Sequence, residues 1–404
     1  MTSTGAGQKW GLRGIAEFLV VGICTVAFLL TIFSLFATML GPHSAGSHDF
    51  VEYWASGQLL AHHANPYQGD AIAGLERSVG YPKDTITLIM GNPPSALLLV
   101  LPLGMVNAVA GEWLWLAMLV ASLAVSVRVV RSLHRFPKGP LNVLAYSFSA
   151  ALSCLVLGQI TLLLLLGLVL FLRWHRSRPL LAGAALWLCL LKPHLFLPFG
   201  AVLLIWIVRS RCYRMLAGTG IVLGVSCAIA SVLDPHVWVD YMVMMHAQRI
   251  DRYGLPCMSV ALRQLVYPHT VWVQLVPAGL GCAWAVWYFL KRREEWDWVE
   301  HSSILMLVSV LVAPYSWFMD QAILIPALLV GLYATRSRAL IAVFALMSAG
   351  IEIAAIRGVV LISPFYLWTA PAWLLWFLIA TRNGKRANTP SAQSSQDVLV
   401  HVIP

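Results

Sequence analysis

Charge is what this chain has least of. Only 11% of its 404 residues are Asp, Glu, Lys or Arg and 59% are apolar, whereas a soluble domain carries about 25% charged residues. That balance excludes an ordinary soluble globular protein. The apolar runs also lack alternation, so they do not read as the segments of about ten residues that build a membrane β-barrel. Helices are then the only way to satisfy this much backbone in lipid. The seven cysteines (Cys24, Cys154, Cys189, Cys212, Cys227, Cys257, Cys282) show no CxxC and no metal spacing, and they read as small core residues. There is no P-loop, no GxGxxG after a strand, no zinc motif and no nucleophile elbow. ATP-driven work within this chain and standard hydrolase chemistry are excluded on that ground. An enzyme acting on a lipid-linked substrate is not. No carboxylates cluster as a hard metal ion would require, so neither a metal nor another cofactor is expected. No internal repeat is visible, whereas transporters tend to show two related halves.

What is present fits an all-α, polytopic helical membrane protein with a mean hydropathy of +0.77. Its net charge of +10 reads as topology signal rather than as a nucleic-acid surface, because the basic residues gather at the ends of apolar runs. Six clusters do so: Arg128 to Lys138, Arg173 to Arg178, Arg209 to Arg214, Lys291 to Arg293, Arg336 with Arg338, and Arg382 to Arg386. The positive-inside rule places all six on the cytoplasmic side. An uncleaved first helix is expected within Ile15–Leu40, after Lys9 and Arg13, because that run exceeds a signal-peptide core of about 7–15 residues.

A single integral membrane domain is expected over 1–382. It would carry a first outer loop at 41–93, a second at 234–270, and a disordered cytoplasmic tail at 383–404. Short helices are expected in pairs at 141–157 and 160–172, 180–191 and 194–208, and 302–318 and 320–334, with single helices at 215–233, 271–290, 338–355 and 361–380. Several fall short of the about 20 residues a crossing needs. Short helices meeting at Pro-containing breaks suggest a cavity open to the outer face. Residues 93–127 hold two apolar runs split at Asn107 to Gly111, and two full crossings there would break the positive-inside rule. The total expected is 11–13 membrane helices.

The polar points in this frame are the candidate site. His48 to Tyr67 opens with Asp49, Glu52 and Tyr53 and closes on the turn Asn65-Pro66-Tyr67. Asp49 has two readings: a general base for an acceptor hydroxyl, or a helix cap whose box is closed by Glu52. On a helix, Asp49, Tyr53 and Ser56 would share a face. Gln159 sits at one hairpin tip, as substrate contact or as helix–helix glue. Lys192-Pro193-His194 sits at another; Lys192 there is either a phosphate-binding charge or a lysine reaching for the interface. Tyr315, Trp317 and Asp320 line a third tip, suited to a sugar or to an interfacial belt. Arg249, Arg252 and Arg263 of the second loop can grip an anionic head group or simply face water.

In order, these residues form D-F-x-E-Y at Asp49, N-P-Y at Asn65, P-P-x-A-L-L-L at Pro93, G-Q-I-x-L-L-L-L at Gly158, L-K-P-H at Leu191 and P-Y-S-W at Pro314. The series resembles the GT-C glycosyltransferases of family 87, the family of the mycobacterial polyprenol-phosphate-mannose-dependent mannosyltransferase. The resemblance covers roughly residues 49–320. It implies a polyprenyl-phosphate sugar donor, a lipid or glycan acceptor on the outer face of a bacterial cytoplasmic membrane, and inverting transfer of a hexose, most often mannose, with no nucleotide sugar. Asp49 matches the family's loop base. The tip after Trp317 departs from the family pattern: Phe318-Met319-Asp320 stands where histidines are common. Two rival readings are a transporter or flippase of an amphipathic lipid and a scaffold subunit without chemistry.

Overall fold

A computed structural model describes residues 49–82, 86–248, 255–360 and 363–388, together with 22, 26, 29 and 33; for 383–388 only the backbone is described. The expected first helix at 15–40, Arg249, Arg252 and the chain after residue 388 lie outside the described residues. No strand occurs among those described, and the chain is a polytopic helical membrane protein.

The first described helices are α1 (Phe50–Ala61), α2 (Gly69–Ser78), α3 (Leu97–Gly104) and α4 (Ala108–His134). The two apolar runs expected on either side of Asn107 are separate helices, and the split between them is narrower than expected, residues 105–107 rather than Asn107 to Gly111. Asn107 caps α4, its side chain accepting from Ala110 N at 2.9 Å, so residues 108–111 belong to the helix. At eight residues α3 is about 12 Å long, far below the roughly 30 Å of a bilayer core. It lies against α1, and Gly57 and Gly104 meet at the crossing with no room for a Cβ on either. Only one helix in this region is long enough to cross, which is the single crossing that the positive-inside rule asks for ahead of Arg128 to Lys138.

The run expected as one helix at 141–157 is two, α5 (Leu141–Tyr146) and α6 (Ser149–Leu157). Ser348 fills the break, accepting from Ser149 N at 2.9 Å and donating to Ser147 O at 3.4 Å. A buried break is tolerated because its freed backbone groups find a partner. Then come α7 (Thr161–Trp174), α8 (Pro179–Cys189), α9 (Leu197–Arg209), α10 (Tyr213–Leu233), α11 (Val237–Ala247), α12 (Met258–Val266), α13 (Val276–Arg292), α14 (Trp298–Leu311), α15 (Ile325–Ala334), α16 (Arg338–Ile356) and α17 (Thr369–Asn388). The last helix runs through residue 388, so the tail expected from 383 begins as helix.

Among the described residues five helical segments are long and apolar enough to cross a bilayer: Ala108–His134, Tyr213–Leu233, Val271–Glu295, Arg338–Ile356 and Pro364–Arg382. Six apolar segments are shorter, from Pro94–Gly104 to Phe318–Ala334. Most of the short ones pack inside. Leu162 to Leu165 on α7 are buried, as are Ile325 and Ala327 to Leu329 on α15, whereas α10 exposes Leu216, Ile221, Val225 and Val232. In lipid that is the expected division: exposed apolar side chains on the helices at the margin, short helices shielded by their neighbours. The buried short helices end at the polar tips.

Candidate functional site

Asp49 stands just before the first turn of α1 and caps nothing with its side chain. The capping-box reading is therefore corrected. Its Oδ2 instead accepts from Gln159 Nε2 at 2.6 Å, a short bond of the kind a charged acceptor makes. That contact joins residues 110 apart, and the tip after α6 makes it. Gly158 ends α6 in the left-handed region at φ 73°, a conformation that favours glycine. A side chain there would meet Phe50 Cβ at 2.9 Å. Its carbonyl accepts from the Trp115 indole at 2.6 Å. The tip is thus clamped between α4 and the start of α1, and the Gln159 amide is delivered to Asp49.

The other end of that amide is also held. Gln159 Oε1 faces the Tyr53 hydroxyl and Lys192 Nζ, each at 3.5 Å. Two donors on the carbonyl oxygen leave the amino group to turn toward Asp49. Lys192 in turn gives its strong bond to Asp320 Oδ1 at 2.8 Å. Thr161 Oγ1 donates to the same oxygen at 2.8 Å, and Trp317 N donates to Oδ2 at 2.9 Å. Asp320 has no exposed surface and the Lys192 side chain is 12% exposed. The network runs from Asp49 through Gln159 and Lys192 to Asp320 and Thr161. It joins the three tips that the sequence marked.

The Asn65-Pro66-Tyr67 turn approaches Lys192 from behind. Asn65 Oδ1 accepts from Tyr67 N at 2.8 Å. The Tyr67 hydroxyl donates to Asn92 O at 3.2 Å, and Asn92 Nδ2 donates to Leu191 O at 2.8 Å. Asn65 and Tyr67 thus brace the peptide that carries Lys192. Beyond Lys192, His194 stacks on Tyr315 with ring centroids 3.8 Å apart. Trp317 and Tyr315 pack against Leu255, Cys257 and Val260 around the start of α12. Arg263 on α12 is buried. Among the described residues no three His, Cys, Asp or Glu side chains gather as a metal would need.

Three contributors carry no sequence signal of their own. Thr161 and Trp115 look like ordinary helix residues. Asn92 reads as the end of the first outer loop, where the chain re-enters the membrane, or as a simple helix start. The single hint was position: Thr161 lies two residues after Gln159, and Asn92 precedes a Pro-Pro pair.

Electrostatics separates the two carboxyls of α1. Burial raises the Asp49 pKa above the ordinary carboxylate value, opposed by the Gln159 bond and by the Lys192 charge, both of which lower it. Glu52 is pushed up to about 8, chiefly by burial and then by Asp49. At neutral pH Glu52 therefore keeps its proton while Asp49 has two neighbours favouring its anion. A carboxyl whose folded pKa is raised stabilises the fold below its unfolded pKa, and that contribution is lost as pH rises through the folded value. Thermal stability should therefore fall between about pH 5 and pH 9 more steeply in the wild type than in Glu52→Gln. Parallel thermal scans of the two proteins test this, and equal slopes would show that Glu52 is already ionised at neutral pH.

The family model described as glycosyltransferase family 87 matches residues 91–314. A curated relative, the alpha-(1->3)-arabinofuranosyltransferase of Mycolicibacterium smegmatis, is 25% identical over 239 residues, 54% of this chain and 53% of that protein. The chain thus spans about half the length of the curated relative it matches. No solved structure matches. The family match includes Asn92, Gln159, Lys192, His194 and Arg263; Asp49 and Asp320 lie outside it and enter through the bonds described above.

Proposed function

The chain belongs to glycosyltransferase family 87, and from that premise we propose that it is an inverting transferase moving a sugar from a polyprenyl-phosphate donor to a lipid or glycan hydroxyl. The reaction would take place on the outer face of a bacterial cytoplasmic membrane. Asp49 is the general base. Its Oδ2 is held by Gln159 at 2.6 Å, which supports the reading by leaving the second carboxylate oxygen to take an acceptor proton. As the acceptor oxygen bonds to the anomeric carbon, its proton passes to Asp49 and the bond from that carbon to the phosphate oxygen breaks on the opposite face. Inversion follows from this single displacement. The leaving group is a lipid phosphate, which departs as an anion and needs positive charge rather than a proton.

Gln159, Thr161 and Asp320 are positioning residues in this scheme. They act through Asp49 and Lys192 and do not reach the reacting atoms. Tyr53, expected as a substrate contact, is 1% exposed and holds Gln159 instead; His194, Tyr315 and Trp317 remain as the sugar- and lipid-facing surfaces, with Asn65 and Tyr67 supporting them. Arg249 and Arg252 are carried as proposed head-group contacts. The family favours transfer over the flippase and scaffold readings, neither of which accounts for a carboxylate held by a built amide.

The resemblance supports mannose as the sugar, whereas the named activity of the mycobacterial relative supports an arabinofuranose. Proteoliposomes supplied with radiolabelled polyprenyl-phosphate mannose, polyprenyl-phosphate arabinofuranose or a nucleotide sugar separate the cases. Label should appear in product from one lipid-linked donor and not from the nucleotide sugar. Transfer from the nucleotide sugar alone would overturn the donor class.

A further inference from the structure

Two helices of the segment between α10 and α13 carry their apolar side outward. On α11, Trp238, Val239, Met242 and Val243 are exposed, whereas Val237 and Met244 are buried. The exposed four recur at the three- and four-residue spacing of one helix face. On α12 the usual polarity is reversed: Ser259 and Arg263 are buried, and Met258, Leu265 and Val266 stand outside beside Gln264, Leu265 at 84% exposure. The turn that follows exposes Tyr267, Val271 and Trp272 and buries Gln274. Among the described residues of 237–247 and 258–276 no Asp, Glu, Lys or Arg is exposed. The first outer loop shows the opposite pattern. There α2 exposes Asp70, Arg77 and Ser78 and buries Ile72 and Ala73, as a helix facing water does.

The length of α10 sets the depth of this surface. Its 21 residues make about 31 Å of helix, which matches the roughly 30 Å of a bilayer core. It starts beside the cytoplasmic cluster Arg209 to Arg214, so Leu233 reaches the outer edge of the hydrocarbon and α11 begins there. The Trp238 indole donates to Ser231 Oγ at 3.1 Å, which ties the start of α11 to the last turn of α10. With eleven and nine residues, α11 and α12 are far too short to cross. Their exposed faces continue the lipid-facing sides of the neighbouring spans, Val225 and Val232 on α10 and Leu280 and Trp287 on α13. We propose that α11, α12 and the turn from Tyr267 to Leu275 form a shelf that lies in the outer leaflet, its occupant being membrane phospholipid rather than water or a protein partner. Short helices with one apolar face lie in the interface plane in this way, and Trp238, Tyr267 and Trp272 supply the aromatic belt expected at that depth. The segment expected as a second outer loop is then part of the membrane surface of the protein. This contact does not depend on the reaction proposed above.

The test places a nitroxide label on single cysteines of the full chain in phosphatidylcholine–phosphatidylglycerol proteoliposomes, with the seven native cysteines replaced by alanine. Val243→Cys and Leu265→Cys report on the shelf, Val225→Cys on a lipid-facing span and Asp70→Cys on the water-facing α2. Oxygen concentrates in hydrocarbon and a nickel chelate stays in water, so the ratio of the relaxation each causes reads the surroundings of the label. At Val243 and Leu265 that ratio should approach the value at Val225 and exceed the value at Asp70. A ratio equal to that at Asp70 would put the shelf in water and overturn the proposal. Weak relaxation by both agents would mean that protein covers the shelf, a second copy or another chain, and would overturn it equally. A second measurement needs no cysteine replacement and decides the matter if the cysteine-free chain does not fold. In brominated phospholipid an indole that touches acyl chains is already quenched. Trp238→Phe and Trp272→Phe should therefore each remove less emission from the otherwise wild-type chain there than in ordinary phospholipid. Equal losses in the two lipids would place both indoles away from the acyl chains and reject the shelf. Neither readout involves sugar transfer, so a chain that transfers nothing and still shows both signatures would sink the proposed reaction and leave the shelf standing.

Discussion

Asp49→Asn is expected to lower kcat by about 10²–10⁴-fold, the range general-base catalysis contributes, with donor KM little changed. The substitution is chosen for what it preserves. An asparagine oxygen still accepts from Gln159 Nε2, so the tip after α6 stays clamped to α1. Asparagine is also as good an N-cap as aspartate, so a residue whose work was to start α1 would tolerate the change. Only the capacity to take a proton is lost. Unimpaired transfer by Asp49→Asn would remove Asp49 as the base. The pH profile adds a second check. A base works as its anion, so kcat/KM must fall as pH drops through the Asp49 pKa. Burial raises that pKa, and the Gln159 bond and Lys192 charge lower it. Removing the bond with Gln159→Leu should therefore move the acid limb of the profile to higher pH. A leucine variant with reduced activity and an unmoved limb would mean that Gln159 only packs.

Much of the architecture was legible because membrane helices announce themselves by composition. The helices at 215–233 and 338–355 were expected within two residues of where α10 and α16 lie. The hairpin tips were legible for the complementary reason: a polar or Pro-containing break is conspicuous in an apolar run. What composition cannot carry is contact between breaks. Nothing near Asp49 in the chain says that Gln159 bonds to it, and D-x-x-E is locally a good capping box. The structure decides otherwise because Gly158 can enter the left-handed region and bring the amide in. Asp320 shows the same limit. Beside Tyr315 and Trp317 it reads as a sugar contact, yet it lies fully buried beneath Lys192. The helix break at Ser147 was invisible because Ser348, which satisfies it, is 201 residues away. The split near Asn107 was legible, but its far bound was not: an Asn in front of an apolar run is equally a loop residue and a cap, and here it caps.

Lys192→Met should be more damaging to the fold than an interfacial lysine would allow. A lysine that snorkels loses little when its charge is removed, since its stem packs as methionine does. Here the ammonium is the counter-charge of Asp320, and breaking a buried pair by removing one partner is destabilising by about 3–5 kcal/mol. The bonds from Thr161 Oγ1 and Trp317 N would remain, but neither supplies a positive charge. The protein would regain stability by protonating Asp320, so the loss should shrink as pH is lowered. Adding Asp320→Asn to Lys192→Met removes the stranded charge and keeps an acceptor for Thr161 and Trp317. Thermal stability should then recover most of the way toward wild type. Transfer should not recover, because Gln159 would still lack the ammonium that orients its amide toward Asp49. Measured together, Tm and kcat of the single and double variants separate the two roles of Lys192. Full recovery of both in the double variant would confine Lys192 to the fold, and a single variant as stable as wild type would mean that the bond to Asp320 contributes nothing to it.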